Sequence, residues 1–363
     1  MACRARGGCR PDCILRLLLA LACGGAPAAN ATAGEGTLAA RHLAIVINDD
    51  DPDSVAIGAY YRRRRAIPAA NVVHVRIPGR PAALDPARFR LLKAEIDSRL
   101  APGVEAVLML WSAPWKVGCH GITGAYTLGF DAALCADTCA AGKPSRYFNA
   151  PGGRPMRDYG MRLSMLLPIA SRQEAKALID RGVISGMRRI PAHAWYLTTS
   201  ETARNSRAGF FPKAGYRPAH ALTIHRLQAD ALEGAGDVLV YQTGKAQVDK
   251  LDTVRFVPGA LADHLTSHGG ELEGGTQMSS LRWLAAGATA SYGTVGEPCN
   301  HWQKFPNPSV LLRHYLNGDS AIEAYWKSVA WPAQGVFIGE PLAAPFRHQS
   351  RAQFRASPHT VVR

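Results

Sequence analysis

His42-Leu-Ala-Ile-Val-Ile47, followed by Asn48-Asp-Asp-Asp-Pro-Asp-Ser54 and then the run from Val55 to Arg65, sets the fold class. The first stretch is short and β-branched, as a strand buried on both faces must be. The acidic stretch breaks it. Val55, Ile57, Ala59, Tyr60 and Tyr61 then begin a helix that runs through Arg62-Arg-Arg-Arg65. Asp53 or Ser54 is the expected N-cap, and the acids at that end complement the helix dipole. A second strand follows at Asn71-Val-Val-His-Val-Arg-Ile77, a helix at Asp85–Leu100, and a third strand at Val104-Glu-Ala-Val-Leu-Met-Leu-Trp111. Strand, helix, strand, helix, strand predicts an α/β fold of three layers, α/β/α, around a mostly parallel sheet.

From Ser112 to about Pro168 the periodicity dissolves into Gly, Pro, Cys and aromatic residues, and 112–168 is expected to be a loop insertion. Regularity returns with a helix over Ser171–Arg181, where Ser171 and Glu174 form a capping box. Strands are predicted at Ala194–Thr199 and Asp237–Tyr241, then at Arg255–Pro258, Ala288–Tyr292 and Gly335–Ile338, with a weaker segment near Ala221–Ile224. Helices are expected at Ser279–Ala286, Ser309–Asn317 and Ser320–Ser328. With no repeat and no Ser/Pro/Gly linker, residues 34–346 read as one domain, and 347–363 as a disordered basic tail.

Arg4, Arg6 and Arg10 precede the apolar stretch Cys13–Cys23, and small residues follow to Ala33. This order reads as a secretory signal over residues 1–33, too short to span a bilayer. Export to the periplasm or the extracellular space is expected. Ala20-Leu-Ala-Cys23 loosely resembles a bacterial lipobox, but an aliphatic residue is usual where Ala20 stands, so soluble export is preferred to a lipid anchor on Cys23. No later run is long and apolar enough to predict a membrane span.

The 363 residues carry a formal charge of +14. Residues 1–33 hold four arginines against one aspartate, and the end from Phe346 adds four more arginines with no acid. The core is thus only mildly basic. No zinc-finger, helix-turn-helix or RNA-recognition pattern accompanies the charge, so nucleic-acid recognition is not expected. The charge suits long-range attraction to an anionic cell envelope.

Four cysteines remain after signal removal: Cys119, Cys135, Cys139 and Cys299. In an oxidising compartment they allow two disulfides. Cys119, Cys135 and Cys139 are the first candidates. Cys135 bridges Cys139 within one loop, or reaches Cys119, and Cys299 stands apart. A Cys-Cys-His metal cluster of Cys119, His120, Cys135 and Cys139 is the sharper alternative, but its spacing fits no standard zinc pattern. No metal and no cofactor is predicted.

Several polar groups follow predicted strands, where open α/β sheets place their ligands. Asp263-His264 offers a base with a neighbouring carboxylate. Glu297-Pro-Cys-Asn-His301 offers Cys299 as nucleophile with Glu297 as orienter. Lys245, Arg204 and Arg207 are candidate binding residues, the two arginines as a grip on a carboxylate or phosphate. The blander readings are a capping Asp, a surface His, a disulfide cysteine and arginines that organise a loop. Asn48–Asp53 has the oxygen donors of a cation site but lacks the Gly and distal Glu of an EF-hand. Arg62–Arg65 reads as a solvated helix face.

The opening over His42–Arg65, with Ile67-Pro-Ala-Ala-Asn-Val-Val-His-Val, resembles the start of gingipain-like cysteine peptidases of the caspase fold. Trp283-Leu-Ala-Ala-Gly-Ala-Thr-Ala-Ser-Tyr-Gly, Ala321-Ile-Glu-Ala-Tyr-Trp-Lys-Ser and Phe337-Ile-Gly-Glu-Pro-Leu resemble their later elements. Asn48–Tyr61, Arg204–Arg207, Pro258–Ser267 and Ala288–Phe346 also resemble an uncharacterised family of exported bacterial proteins found mainly in exosortase-carrying species. The peptidase resemblance implies a catalytic His in the turn after one strand and a nucleophilic Cys after the next. The corresponding segments here, Tyr241-Gln-Thr-Gly-Lys245 and Ala262-Asp-His-Leu-Thr-Ser267, contain no His and no Cys respectively. Two functions follow. One is a catalytically silent or unorthodox relative that binds a peptide or glycan in the cell envelope. The other is a hydrolase or transferase using His264 with Cys299 or a hydroxyl.

Overall fold

Pro52 cannot continue a strand or donate a backbone hydrogen bond, and its fixed φ suits the first position of a helix. In the computed structural model, which describes residues 37–187 and 191–347, strand β1 (Leu43–Asn48) ends just before it and helix α1 (Pro52–Arg65) begins on it. The N-cap is Asp51, whose carboxylate accepts from the Asp53 amide at 2.9 Å, rather than Asp53 or Ser54. Ser54 is buried; its hydroxyl donates to the Leu110 carbonyl at 2.6 Å and accepts from the Asn48 amide. The predicted signal segment 1–33 and the tail from 348 onward lie outside the described residues.

The remaining strands of the main sheet are β2 (Val72–Val75), β3 (Ala106–Leu110), β4 (Leu163–Leu166), β5 (Ala192–Thr198), β6 (Gly215–Arg217), β7 (Leu222–Gln228), β8 (Val238–Thr243), β9 (Phe256–His264), β10 (Ala290–Thr294) and β11 (Gly335–Gly339). They form an 11-stranded sheet in the order β2-β1-β3-β4-β11-β10-β9-β8-β5-β7-β6. All neighbours are parallel except β10 with β11 and β6 with β7. The sheet is therefore two parallel blocks running in opposite directions, joined where β11 meets β10. Thr198, Thr243, His264 and Thr294 end strands of the second block at the edge where β11 begins, since Thr294 pairs with Gly335.

Helices cover both faces. Gly58 of α1 lies so close to Ile47 and Leu110 that a Cβ there would meet the Ile47 side chain. In the register Ala106↔Leu163 and Val107↔Ser164, Ser164 faces away from α1. Its hydroxyl donates to Thr123 of helix α2 (Ile122–Leu128), which lies on the opposite face. Trp326 stacks on Phe337 with ring centroids 4.2 Å apart and donates to the Ser164 carbonyl at 2.9 Å. The three-layer, mostly parallel architecture is as the sequence predicts.

Three strands of the main sheet differ from expectation. β6 stands where no strand is predicted, a three-residue strand antiparallel to β7 at the sheet's edge. β4 lies inside the stretch 112–168 that reads as irregular, yet it is fully buried between β3 and β11. Four residues, Leu-Ser-Met-Leu, are too few for a periodic signal. β9 runs past the predicted stop at Pro258 to His264. Its pairing with β8 shifts from Val238↔Phe256 to Val240↔Leu261, a bulge that absorbs Pro258 and Gly259. Gly259 has φ +90°, a conformation that glycine adopts without penalty.

Candidate functional site

Loops after β5, β7, β8 and β9 meet at the carboxyl edge of the second block. Glu201 is their hub. It accepts from Arg204 Nη1 at 2.8 Å and the Ala246 amide at 3.1 Å, and pairs with Lys245 Nζ at 3.4 Å. Lys245 also pairs with Asp230 at 3.1 Å. Backbone and hydroxyl hydrogen bonds from Ser200, with Lys245 beside it, hold the Asp230 carboxyl down at about 2. Thr266 accepts from Arg204 Nε at 3.3 Å and donates to Gln277 at 2.7 Å, and the same Gln277 oxygen receives the His268 amide. Gly244 fits only without a side chain, because a Cβ would overlap the Arg204 carbonyl. The rim thus alternates charge, and the predicted binding residues Arg204 and Lys245 come together through Glu201 and Asp230, which the sequence reading did not single out. The Glu201/Arg204 spacing of three residues, on one turn, is the signal that points to Glu201.

Beneath this rim Arg207, Asp263 and His264 are buried. Arg207 and Asp263 are both 1% exposed and form an ion pair. Arg207 also donates to the Thr243 carbonyl at 2.8 Å and the Asp263 carbonyl at 3.2 Å, while Gln242 donates to Asp263 at 2.8 Å. The carboxylate gripped by Arg207 is therefore one of the chain's own. Tyr196, Tyr292 and Tyr325 surround this pair, and burial, with the Asp263 charge second, pushes their hydroxyl pKa values upward.

His264 is fully buried, not at the surface. Trp283 Nε1 donates to its Nδ1 at 2.9 Å, so Nε2 carries the proton and donates to the Met278 carbonyl at 3.0 Å. Burial pushes its pKa down to about 3, and the nearby arginines Arg207 and Arg204 act in the same direction. Both ring nitrogens are taken, leaving no lone pair to abstract a proton. Asp263 is not its orienting partner.

The cysteines pair as Cys119–Cys135 and Cys139–Cys299, with Cα atoms 5.3 Å apart in each bridge. A Cys135–Cys139 bridge does not form, and Cys299 is a disulfide partner instead of standing apart. Its sulfur, bonded to Cys139, has no thiol proton to lose. Glu297 is exposed and caps the turn by accepting the Cys299 amide at 2.8 Å. Among the described residues, one group of three metal-ligand side chains clusters within 4.8 Å: Cys119, His120 and Cys135. Cys139 is not in it.

The acidic turn is likewise consumed within the fold. Asp49 pairs with His74 at 2.7 Å, Asp50 with Arg76 at 2.9 Å and Asp53 with Arg172 at 2.5 Å, while Asp51 caps α1. Arg64 pairs with Asp180, and Arg65 with the buried Glu340, so the Arg62–Arg65 run is partly structural rather than a solvated face. No helix among the described residues is long and apolar enough to cross a membrane.

No protein-family model and no curated protein matches the chain. Among solved structures it is similar to the Arg-specific cysteine proteinase gingipain R (RgpB). That likeness has 10% identity and a TM-score of 0.46, over 84% of this chain and 78% of that one. It is similar to a structure described only as a protease at 9% identity and a TM-score of 0.44, over 85% and 79%. The complex of Porphyromonas gingivalis RgpB pro- and mature domains gives 9% identity and a TM-score of 0.40, over 84% and 79%. These are likenesses of fold and carry nothing about activity.

Proposed function

We propose that this is an exported, catalytically silent protein that binds a peptide at the carboxyl edge of β5, β8 and β9. The observation that carries the reading is His264. Its neutral ring is spent on Trp283 and Met278, and a hydrolase or transferase built on it would lack a base. Cys299 as nucleophile fails for a second reason, since its sulfur is in a disulfide. What the edge offers instead is a rim of alternating charge, Arg204, Glu201, Lys245 and Asp230, with the Thr266–Gln277 pair beside it. Such a rim matches the mixed charges and amide groups of a polypeptide better than a uniformly anionic ligand.

The test uses a fluorescent mixed-sequence peptide library and the oxidised protein. Binding measured by anisotropy is expected, weakened in Lys245→Ala and Arg204→Ala, with no cleavage of quenched peptides. Cleavage abolished by His264→Gln would overturn the reading in favour of an enzyme. Binding indifferent to both rim variants would remove the site.

A further inference from the structure

The bridge Cys119–Cys135 lies beside a histidine whose chemistry the fold leaves unused. His120 is 1% exposed, on the short strand His120–Gly121. Its Nε2 is held by the backbone of Asp131, 3.0 Å from the carbonyl and 3.3 Å from the amide. The other nitrogen, Nδ1, is buried with no hydrogen-bond partner. A buried polar nitrogen without a partner is unfavourable, and native structures rarely leave one. A ring fixed through one nitrogen by a backbone group, with the other nitrogen free, is oriented as metal-binding histidines are. The two sulfurs and a ring nitrogen of His120 lie within 4.8 Å of one another. His120 also lines a cavity of about 250 Å³ with Phe130, Asp131 and Lys143.

We infer that Cys119, Cys135 and His120 form a redox-gated site for a soft, thiophilic cation, closed as a disulfide and opened by a dithiol reductant. Opening takes two electrons and two protons from the dithiol, which is itself left as a disulfide, and yields two thiols. Binding the cation releases both protons, because thiolates are the ligands. Metal–sulfur bonds of about 2.3 Å at a tetrahedral angle need the sulfurs roughly 3.8 Å apart. Side-chain rotation supplies that from Cα atoms 5.3 Å apart. Two thiolates and one imidazole suit a d¹⁰ ion and disfavour calcium or magnesium.

The experiment uses the full exported chain with Cys139→Ser and Cys299→Ser, so that reduction yields thiols only at the site. Cd²⁺ is the probe, read by its thiolate charge-transfer absorption, and Zn²⁺ is the competitor. The reduced protein is expected to bind one Cd²⁺ that Zn²⁺ displaces, and the oxidised protein none. Adding His120→Ala is expected to weaken binding roughly tenfold to a hundredfold. Equal affinity with and without the imidazole, or equal binding by the oxidised protein, overturns the inference. If reduction unfolds the chain, Cd²⁺ is expected to restore its near-ultraviolet circular dichroism with His120 present and not in His120→Ala. Failure to restore it with His120 present also overturns the inference.

Discussion

Replacing His264 by Gln and following unfolding as the pH falls isolates the energetics of the buried imidazole. In the folded protein its pKa is pushed down to about 3, whereas an unfolded histidine titrates near 6.5. Below pH 6.5 the unfolded chain therefore binds a proton that the folded one refuses. Stability contributed by the neutral ring is full above 6.5 and is withdrawn as the pH falls toward 3. Each pH unit in that window removes about 1.4 kcal/mol, so the loss at pH 4.5 is roughly 2.7 kcal/mol. Gln can accept from Trp283 and donate to Met278, and a poorer fit is expected to cost about 1–3 kcal/mol at pH 7.5. Buried His42, pushed down to about 4, titrates in the same range, as do carboxylates, but both proteins share these groups and the difference cancels them. Urea unfolding with the disulfides intact, read by tryptophan fluorescence at pH 7.5, 6.5, 5.5 and 4.5, is the assay. The gap between wild type and His264→Gln is expected to shrink by about 2.7 kcal/mol and to reverse if the substitution is mild. Two curves that run parallel from pH 6.5 to 4.5 would refute a neutral, buried ring and reopen His264 as a base.

Asp263→Asn leaves the Arg207 charge buried without its counter-ion and is expected to cost about 3–5 kcal/mol in chemical unfolding. A loss under 1 kcal/mol would mean that water reaches the pair. Peptide mapping without reductant is expected to return only Cys119–Cys135 and Cys139–Cys299. Their sequence separations of 16 and 160 residues give chain-entropy stabilisations of about 3 and 5 kcal/mol, so Cys139→Ser is expected to lower the melting temperature more than Cys119→Ser. Gly293→Ala places a Cβ inside the backbone of Gly269–Gly270, which cannot yield as a side-chain tip would. Soluble protein with wild-type stability would contradict that packing; a loss of about 3 kcal/mol or more is expected.

The sheet was legible where burial leaves a periodic trace. β1, β3 and β8 are apolar runs bounded by Asp, Gly or Pro, and α1 shows in the acidic turn before it, although it starts at Pro52, ahead of the expected cap. What did not show is what depends on distant partners. Leu163–Leu166 becomes a strand because β3 and β11 flank it, a fact about residues 106–110 and 335–339 rather than about its own four side chains. Pro258 and Gly259 look like a strand end, and only a bulge against β8 lets β9 continue to His264.

The candidate site divides along the same line. Placing Asp263-His264, Lys245 and Arg204 near strand ends needs only topology, and they do sit there. Their chemistry depends on which groups reach them through space. His264 reads as a base until Trp283, nineteen residues away, donates to its ring, and Asp263 reads as its helper until Arg207, fifty-six residues away, claims the carboxylate. Adjacent residues on a strand point to opposite faces, so Asp263 and His264 were bound to acquire different neighbours. A polar pair ending a buried strand therefore has two resolutions. It opens to the crevice and acts, or it turns inward and is satisfied by long-range partners. Here both members turn inward, and the polar groups left for a ligand lie one layer out, on the loops that carry Glu201, Asp230 and Lys245.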